Sequence, residues 1–369
     1  MAQDNYSCPS GGSIRTGHFS QATALSIAAA ALSAGDFVEF SAPTLNQFSD
    51  HGNYPFDAPS NSVGVGGIGL MNSSWCSIAD RDPTTNTIYF AGGRPLAETL
   101  PQTLCRYNAA QDTWRSIGGW SGVGGGHIYR GGCVIPEHRR YFYIPSSNPQ
   151  GQCPMWDLDT DQLATPATYP PTNIAGSSSA WSAPWCSVWH PNLGAQGSVI
   201  AANASADRVI RFDWDTQTWI GIGRFDANAA ALIQIDWTNL HPTGHYNGTH
   251  DEVILGSSDS GAAKQFIRID NTGAVVATAS IDADVNCQST GTFCPHPTNG
   301  NLSVATDTVT GRVYSYDWVA DSWTDRGAIP TGINDPNVIS SVWPDYGVIL
   351  YAVYGGGGTS KTYIFKPGF

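Results

Sequence analysis

The chain reads as an all-β ring of six four-stranded sheets, a six-bladed β-propeller, preceded by one short helix. Three observations predict it. An aromatic or large apolar residue is followed seven positions on by Trp or an apolar stand-in, at Tyr107/Trp114, Trp156/Leu163, Phe212/Trp219, Ile269/Val276 and Tyr316/Trp323. The five pairs recur 47 to 57 residues apart, a period that marks a stacked or radial repeat. A second hairpin precedes each pair, and a sixth such hairpin follows the fifth pair and opens a unit one strand short.

The elements follow in order. Residues 1–63 form an N-terminal segment and 64–369 the propeller, one domain overall. Ala22–Ala34 is the one helical stretch, with Ser20 as its N-cap residue, Gly35 just past its end, and Leu25, Ala28, Ala29 and Leu32 facing the propeller. Asp36–Phe40 is a strand bounded by Gly35 and Pro43. An open ring of sheets leaves unpaired edge groups, so this strand is expected to pair with Thr362–Phe365 and complete the sixth sheet.

The residue after the first member of each pair is Asn108, Asp157, Asp213, Asp270 or Asp317, which can hydrogen-bond its own backbone and start a tight turn. The upstream hairpins read as Trp75–Ile78 with Ile88–Phe90, Cys133–Ile135 with Arg140–Tyr143, and Trp185–Val188 with Ser198–Ile200. Then come Trp237–Leu240 with Val253–Leu255, a strand at Cys294 with Leu302–Val304, and Ser341–Trp343 with Val348–Val353. His190, His241 and His296 each precede Pro at what read as matching turns.

Unit one carries Phe90-Ala91-Gly92-Gly93, then Tyr107 and Trp114, and unit six carries Tyr354-Gly355-Gly356. A strand ending in a glycine pair, followed by Tyr and Trp six or seven residues apart, resembles the kelch repeat. The resemblance covers about residues 64–369. Units two to five lack the glycine pair, and units two and four lack the Trp. It implies a propeller and leaves function open, because such propellers include oxidases, lyases and binding modules. The copper radical oxidases of this kind need late histidines, and no His follows His296. The Ala-rich helix, Gly35-Asp36-Phe37-Val38-Glu39-Phe40 and the long loop after it resemble the opening of kelch-like proteins of tailed bacteriophages.

Composition narrows the partners. Only 13% of residues are charged and the net charge is −13, which argues against nucleic acid and against anionic membrane surfaces. No apolar run is long enough to insert in a membrane. Of the eight cysteines, Cys76, Cys133 and Cys186 read as one register of successive inner strands, too far apart to bridge and expected as buried thiols. Cys287 and Cys294 flank a short loop that a disulfide can span.

Chemical motifs are sparse. Gly64-Val65-Gly66-Gly67-Ile68-Gly69 has dinucleotide-loop spacing but is followed by a strand, so it reads as a Gly-rich entry to unit one. His241, His245 and His250, with Asp251, form the densest metal-capable set, and a solvated turn is the preferred reading for them. No nucleophile with a base, acid pair or complete metal shell stands out, so no catalytic residue and no cofactor is expected. Loops between second and third strands, and loops entering each inner strand, gather on one face. There Trp181, Trp185, Trp237, Arg94, His127, Arg130 and Asn334 are the candidate contacts, aromatics beside polar groups suiting a sugar ring. The expectation is a non-enzymatic binding or structural propeller, on a virion or otherwise extracellular. Its partners would be its own copies, other virion subunits or surface glycans, in a homo-oligomer or larger assembly. A carbohydrate-active lyase or hydrolase is the alternative, and a cellular interaction module the second.

Overall fold

A computed structural model describes residues 23–40, 79–91, 102–111, 113–120, 131–145, 151–171, 185–203, 208–224, 243–257, 265–280, 292–307, 310–330, 333, 338–355 and 359–369. They form six antiparallel four-stranded sheets. From the hub outward, blade one is Asp80–Asp82, Thr87–Ala91, Gln102–Asn108 and Thr113–Trp120. Blade two is Gly132–Ile135, Arg140–Tyr143, Met155–Asp157 and Gln162–Leu163. Blade three is Trp185–His190, Ser198–Asn203, Arg208–Asp213 and Thr218–Arg224. Blade four is Thr243–Asn247, Glu252–Ser257, Gln265–Asp270 and Val275–Ser280. Blade five is Thr292–Pro295, Leu302–Asp307, Arg312–Asp317 and Ser322–Ala328. Blade six is Val338–Trp343, Val348–Gly355, Thr359–Phe365 and, outermost, Phe37–Glu39.

The closing strand sits as its sequence predicts. Phe37 pairs with Phe365, Val38 with Ile364 and Glu39 with Tyr363. The Phe37 and Phe365 rings stack at 4.0 Å. Backbone bonds from Gly35 to Lys366 (2.7 Å) and from Phe40 to Thr362 (2.7 Å) extend the seam at both ends. The helix spans Ala24–Ala31 and is capped by Thr23, whose hydroxyl accepts from the Ser26 N–H, rather than by Ser20, which lies outside the described residues. Leu25 and Ala29 are buried, and Lys366 donates to the Ala29 and Leu32 carbonyls at the helix C-terminus, where a cation is favoured.

The repeat pairs face each other across the outer hairpins: Tyr107 with Trp114, Trp156 with Leu163, Phe212 with Trp219 and Tyr316 with Trp323. The first members are fully buried. Blade four departs: a register shift between Arg268 and Ile269 pairs Ile269 with Val275. Val276 therefore turns to the opposite face and is half exposed, as a one-residue slip requires. The predicted turns form as read. Asn108 Oδ1 accepts from Gln111 N–H, Asp157 Oδ1 from Thr160, Asp213 Oδ1 from Thr216, Asp270 Oδ1 from Thr272 and Asp317 Oδ1 from Ala320. In blade two Pro154, which has no N–H to give a ladder, splits the third strand into Gln152–Cys153 and Met155–Asp157.

Two inner strands differ from the sequence reading. In blade one the inner strand is Asp80–Asp82, and Trp75–Ile78 lies outside the described residues. In blade four it is Thr243–Asn247, after His241-Pro242 instead of before it, so His241 does not match His190 and His296. Asn247 faces Glu252 as His190 faces Ser198. The polar run Thr-Gly-His-Tyr-Asn reads as a loop by composition, yet His245 and Asn247 find partners in blade five that allow their burial.

The core is a ring of apolar layers, each between neighbouring blades. Cys105, Cys133, Cys153, Cys186 and Cys294 are buried thiols within it. Cys186 lies two residues earlier in its strand than Cys133, so those two do not share the register expected of them, whereas Cys294 does share that of Cys133; Cys76 lies outside the described residues. Cys294 donates to the Val304 carbonyl as a thiol instead of pairing with Cys287. Among the described residues, no helix is long and apolar enough to cross a membrane.

Deleting residues 1–42 removes the seam strand and exposes a sheet edge, so the truncated chain should aggregate; size-exclusion chromatography showing an unchanged soluble species would contradict the closure. Thiol titration should find Cys105, Cys133, Cys153, Cys186 and Cys294 unreactive in the native protein and all five reactive in denaturant without reductant. Burial already pushes the Cys133 and Cys153 thiols well above their ordinary pKa.

Candidate functional site

The two rims of the propeller differ. At one rim blades one to five each carry two tight turns and blade six carries one, and polar or aromatic contacts latch every neighbouring pair of blades there. Arg81 of blade one binds Asp345 of blade six. Arg139 of blade two reaches Asp82 of blade one at 2.7 Å. Trp189 Nε1 of blade three donates to Glu137 of blade two at 2.8 Å. Asn192 and Asp251 join blades three and four at 2.9 Å, and Asn247 donates to the Gly300 carbonyl across blades four and five at 2.8 Å. Phe369 of blade six lies under the Arg326 guanidinium at 4.4 Å and against the His296 ring of blade five.

Strand ends at the opposite rim bracket the segments between second and third strands and between blades. Trp181, Trp237, Arg94, His127, Arg130 and Asn334 all belong to those segments and lie outside the described residues. Trp185 does not serve as an exposed platform: it is 1% exposed, and its Nε1 donates to the Tyr169 hydroxyl at 3.1 Å. It begins an inner strand and fills the layer between blades two and three.

His245 lies buried in the strand Thr243–Asn247 and not in a solvated turn, and both it and His250 have partners in blade five. Trp318 Nε1 donates to Ser303 Oγ at 2.7 Å, and that hydroxyl lies 2.9 Å from His245 Nε2. His245 Nδ1 lies 3.2 Å from the Tyr246 carbonyl, so it carries the proton and Nε2 accepts from Ser303. Both ring nitrogens are thus committed, and burial drives the pKa down to about 3, keeping the ring neutral. His250 instead stacks on Trp318 at 5.2 Å and pairs with Asn301. His241 lies outside the described residues, among which no group of three metal-capable side chains occurs.

One site that the sequence did not flag lies at the hub. All six inner strands enclose a cavity of about 220 Å³. One pairing register places Asp80, Cys133, Val188, His245, Cys294 and Ser341 at equivalent points of the six inner strands, and all but Cys133 line this space. Cys133 occupies the equivalent register beside Gly132 and Val134, which do line it. Asp80 Oδ2 accepts from the Val134 N–H of the next blade at 3.0 Å. Desolvation raises the Asp80 pKa to about 6, against that bond. A lone Asp in a short inner strand could have signalled the site, but its register was visible only once the strand's pairing was known.

No protein-family model and no curated protein matches the chain. Among solved structures, a chain in a crystal structure of a mitotic checkpoint complex superposes with a TM-score of 0.49 at 10% identity, covering 81% of this chain and 89% of that one. That likeness carries no functional argument.

Asp80 and His245 set opposite pH dependences. The raised Asp80 pKa contributes stability that is present below about pH 4 and lost as pH rises through about 6. The depressed His245 pKa contributes stability that is present above its ordinary 6.5 and lost as pH falls toward 3. Asp80→Asn keeps an acceptor for Val134 and should gain on the order of 1–2 kcal/mol at pH 7.5 but little at pH 4.5. Urea unfolding at the two pH values checks this, and an equal gain at both would contradict it.

Proposed function

We propose that this chain is a non-enzymatic recognition propeller that binds surface glycans through its loop-bearing rim, on a virion or another extracellular assembly. The observation that carries the reading is the asymmetry of the rims. One is consumed by tight turns and inter-blade latches, which makes a rigid base. The other bears the longer connections, where sequence places Trp181 and Trp237 with Arg94, His127, Arg130 and Asn334. A rigid ring presenting loops is suited to binding, since ordered scaffolds position recognition loops at low entropic cost.

The kelch-like repeat and the phage-like N-terminal segment support a particle-borne role, with copies of this chain or other virion subunits as neighbours. An acidic surface fits the absence of nucleic-acid and membrane partners from this reading. Stacking one sugar on an aromatic contributes on the order of 1 kcal/mol, so single sites are weak and useful attachment needs several linked copies.

A glycan array probed with the multimerised chain should give signal that Trp181→Ala with Trp237→Ala abolishes. Retained signal in the double variant would move the site elsewhere. Incubation with polysaccharides should release no new reducing or unsaturated ends; their appearance would favour a lyase or hydrolase.

A further inference from the structure

The hub cavity holds polar groups that the fold leaves without partners. Asp80 Oδ2 has the Val134 N–H, but no ion pair reaches the Asp80 carboxylate among the described residues. Arg81, the cationic side chain in the lining, is committed to Asn86 Oδ1 at 2.9 Å and to Asp345. The backbone bond from Ala79 N–H to the Ser340 carbonyl, 2.9 Å, sets the inner strands of blades one and six side by side at this level. Ser340 and Ser341 are 1% and 2% exposed, line the cavity, and have hydroxyls with no hydrogen-bond partner in the structure. Ser187, on the far wall, instead hydrogen-bonds the Cys133 thiol. Buried hydroxyls without partners each cost stability, so the two on this wall mark a place built for an occupant.

We propose that the hub cavity binds one singly charged cation, an alkali metal ion or a primary ammonium group, held by Asp80 with Ser340 and Ser341. The charge follows from the single unpaired carboxylate. A divalent ion such as calcium ordinarily draws on several carboxylates, and this wall supplies one. The donors are hard oxygens. The softer candidates nearby are withdrawn, because burial keeps the Cys133 thiol protonated and His245 has both nitrogens committed. A cation would also hold Asp80 ionised at neutral pH, where its burial otherwise disfavours charge.

The full chain, exchanged into N-methylglucamine chloride at pH 7.5, is titrated with NaCl, KCl or ethylammonium chloride, and in control runs with CaCl2 or MgCl2, at constant ionic strength, and the Tm is followed. At least one titrant should give a saturable rise that Asp80→Asn abolishes and Ser341→Ala weakens; which titrant acts tells a metal ion from an amine. No saturable rise with any of the three, an equal rise in Asp80→Asn, or a rise with calcium or magnesium alone would overturn the proposal. Calorimetry on the wild type gives a reading independent of the variants. One-to-one binding at pH 7.5 should weaken roughly tenfold or more at pH 4.5, where Asp80 is protonated, and equal affinity at the two values would also overturn it.

Discussion

Three backbone pairs, Phe37 with Phe365, Val38 with Ile364 and Glu39 with Tyr363, hold together what the rest of the molecule assumes. Every other blade is a single run of chain, and its sheet forms from neighbouring hairpins. Blade six is completed from the far end of the sequence. The apolar layer shared by blades one, two and six and the helix brings together the two ends of the chain, so it needs the ring to be closed. The stacked Phe37 and Phe365 rings and the helix capped by Lys366 widen that seam into a small core of its own. Pairing so distant in sequence makes closure a slow, late event, because its loop entropy must be met before the contacts form.

Repetition of the backbone does not bring repetition of chemistry. One inner-strand register places Asp80, Cys133, Val188, His245, Cys294 and Ser341 at equivalent points of the ring. The side chains diverge because each meets a different neighbour. His245 ends in a relay from Trp318 through Ser303, whereas Asp80 meets one N–H and open space. The hub therefore has a carboxylate and serines on the wall of blades one and six and aromatic Tyr246 and Phe293 on the wall of blades four and five.

The rims divide labour in the same physical terms. Asn or Asp at the start of each outer turn satisfies backbone donors locally, which frees neighbouring side chains to reach across blades. Asp251 shows the economy. It accepts from Asn192, Tyr246 and Asn271, which holds its pKa below the usual carboxylate range, against burial, and ties blade three to blade four. A rim so fully engaged has little left to offer a ligand.

The number of blades, their order and the closing strand were legible in the sequence, because period, turn-forming Asn and Asp, and a strand in surplus are local patterns. The turn at Asp213 and the seam at Phe37 needed nothing beyond neighbouring residues to be read. Register was not legible. The strand Thr243–Asn247 looks like a loop because its burial depends on Ser303 and Gly300 of the next blade. Val276 misses the pattern through a one-residue slip that only pairing shows. The hub site belongs to the same class. Asp80, Ser340 and Ser341 are ordinary residues far apart in the chain, and tertiary structure alone decides that their strands meet around one cavity, because closure of the ring is what puts blade six beside blade one.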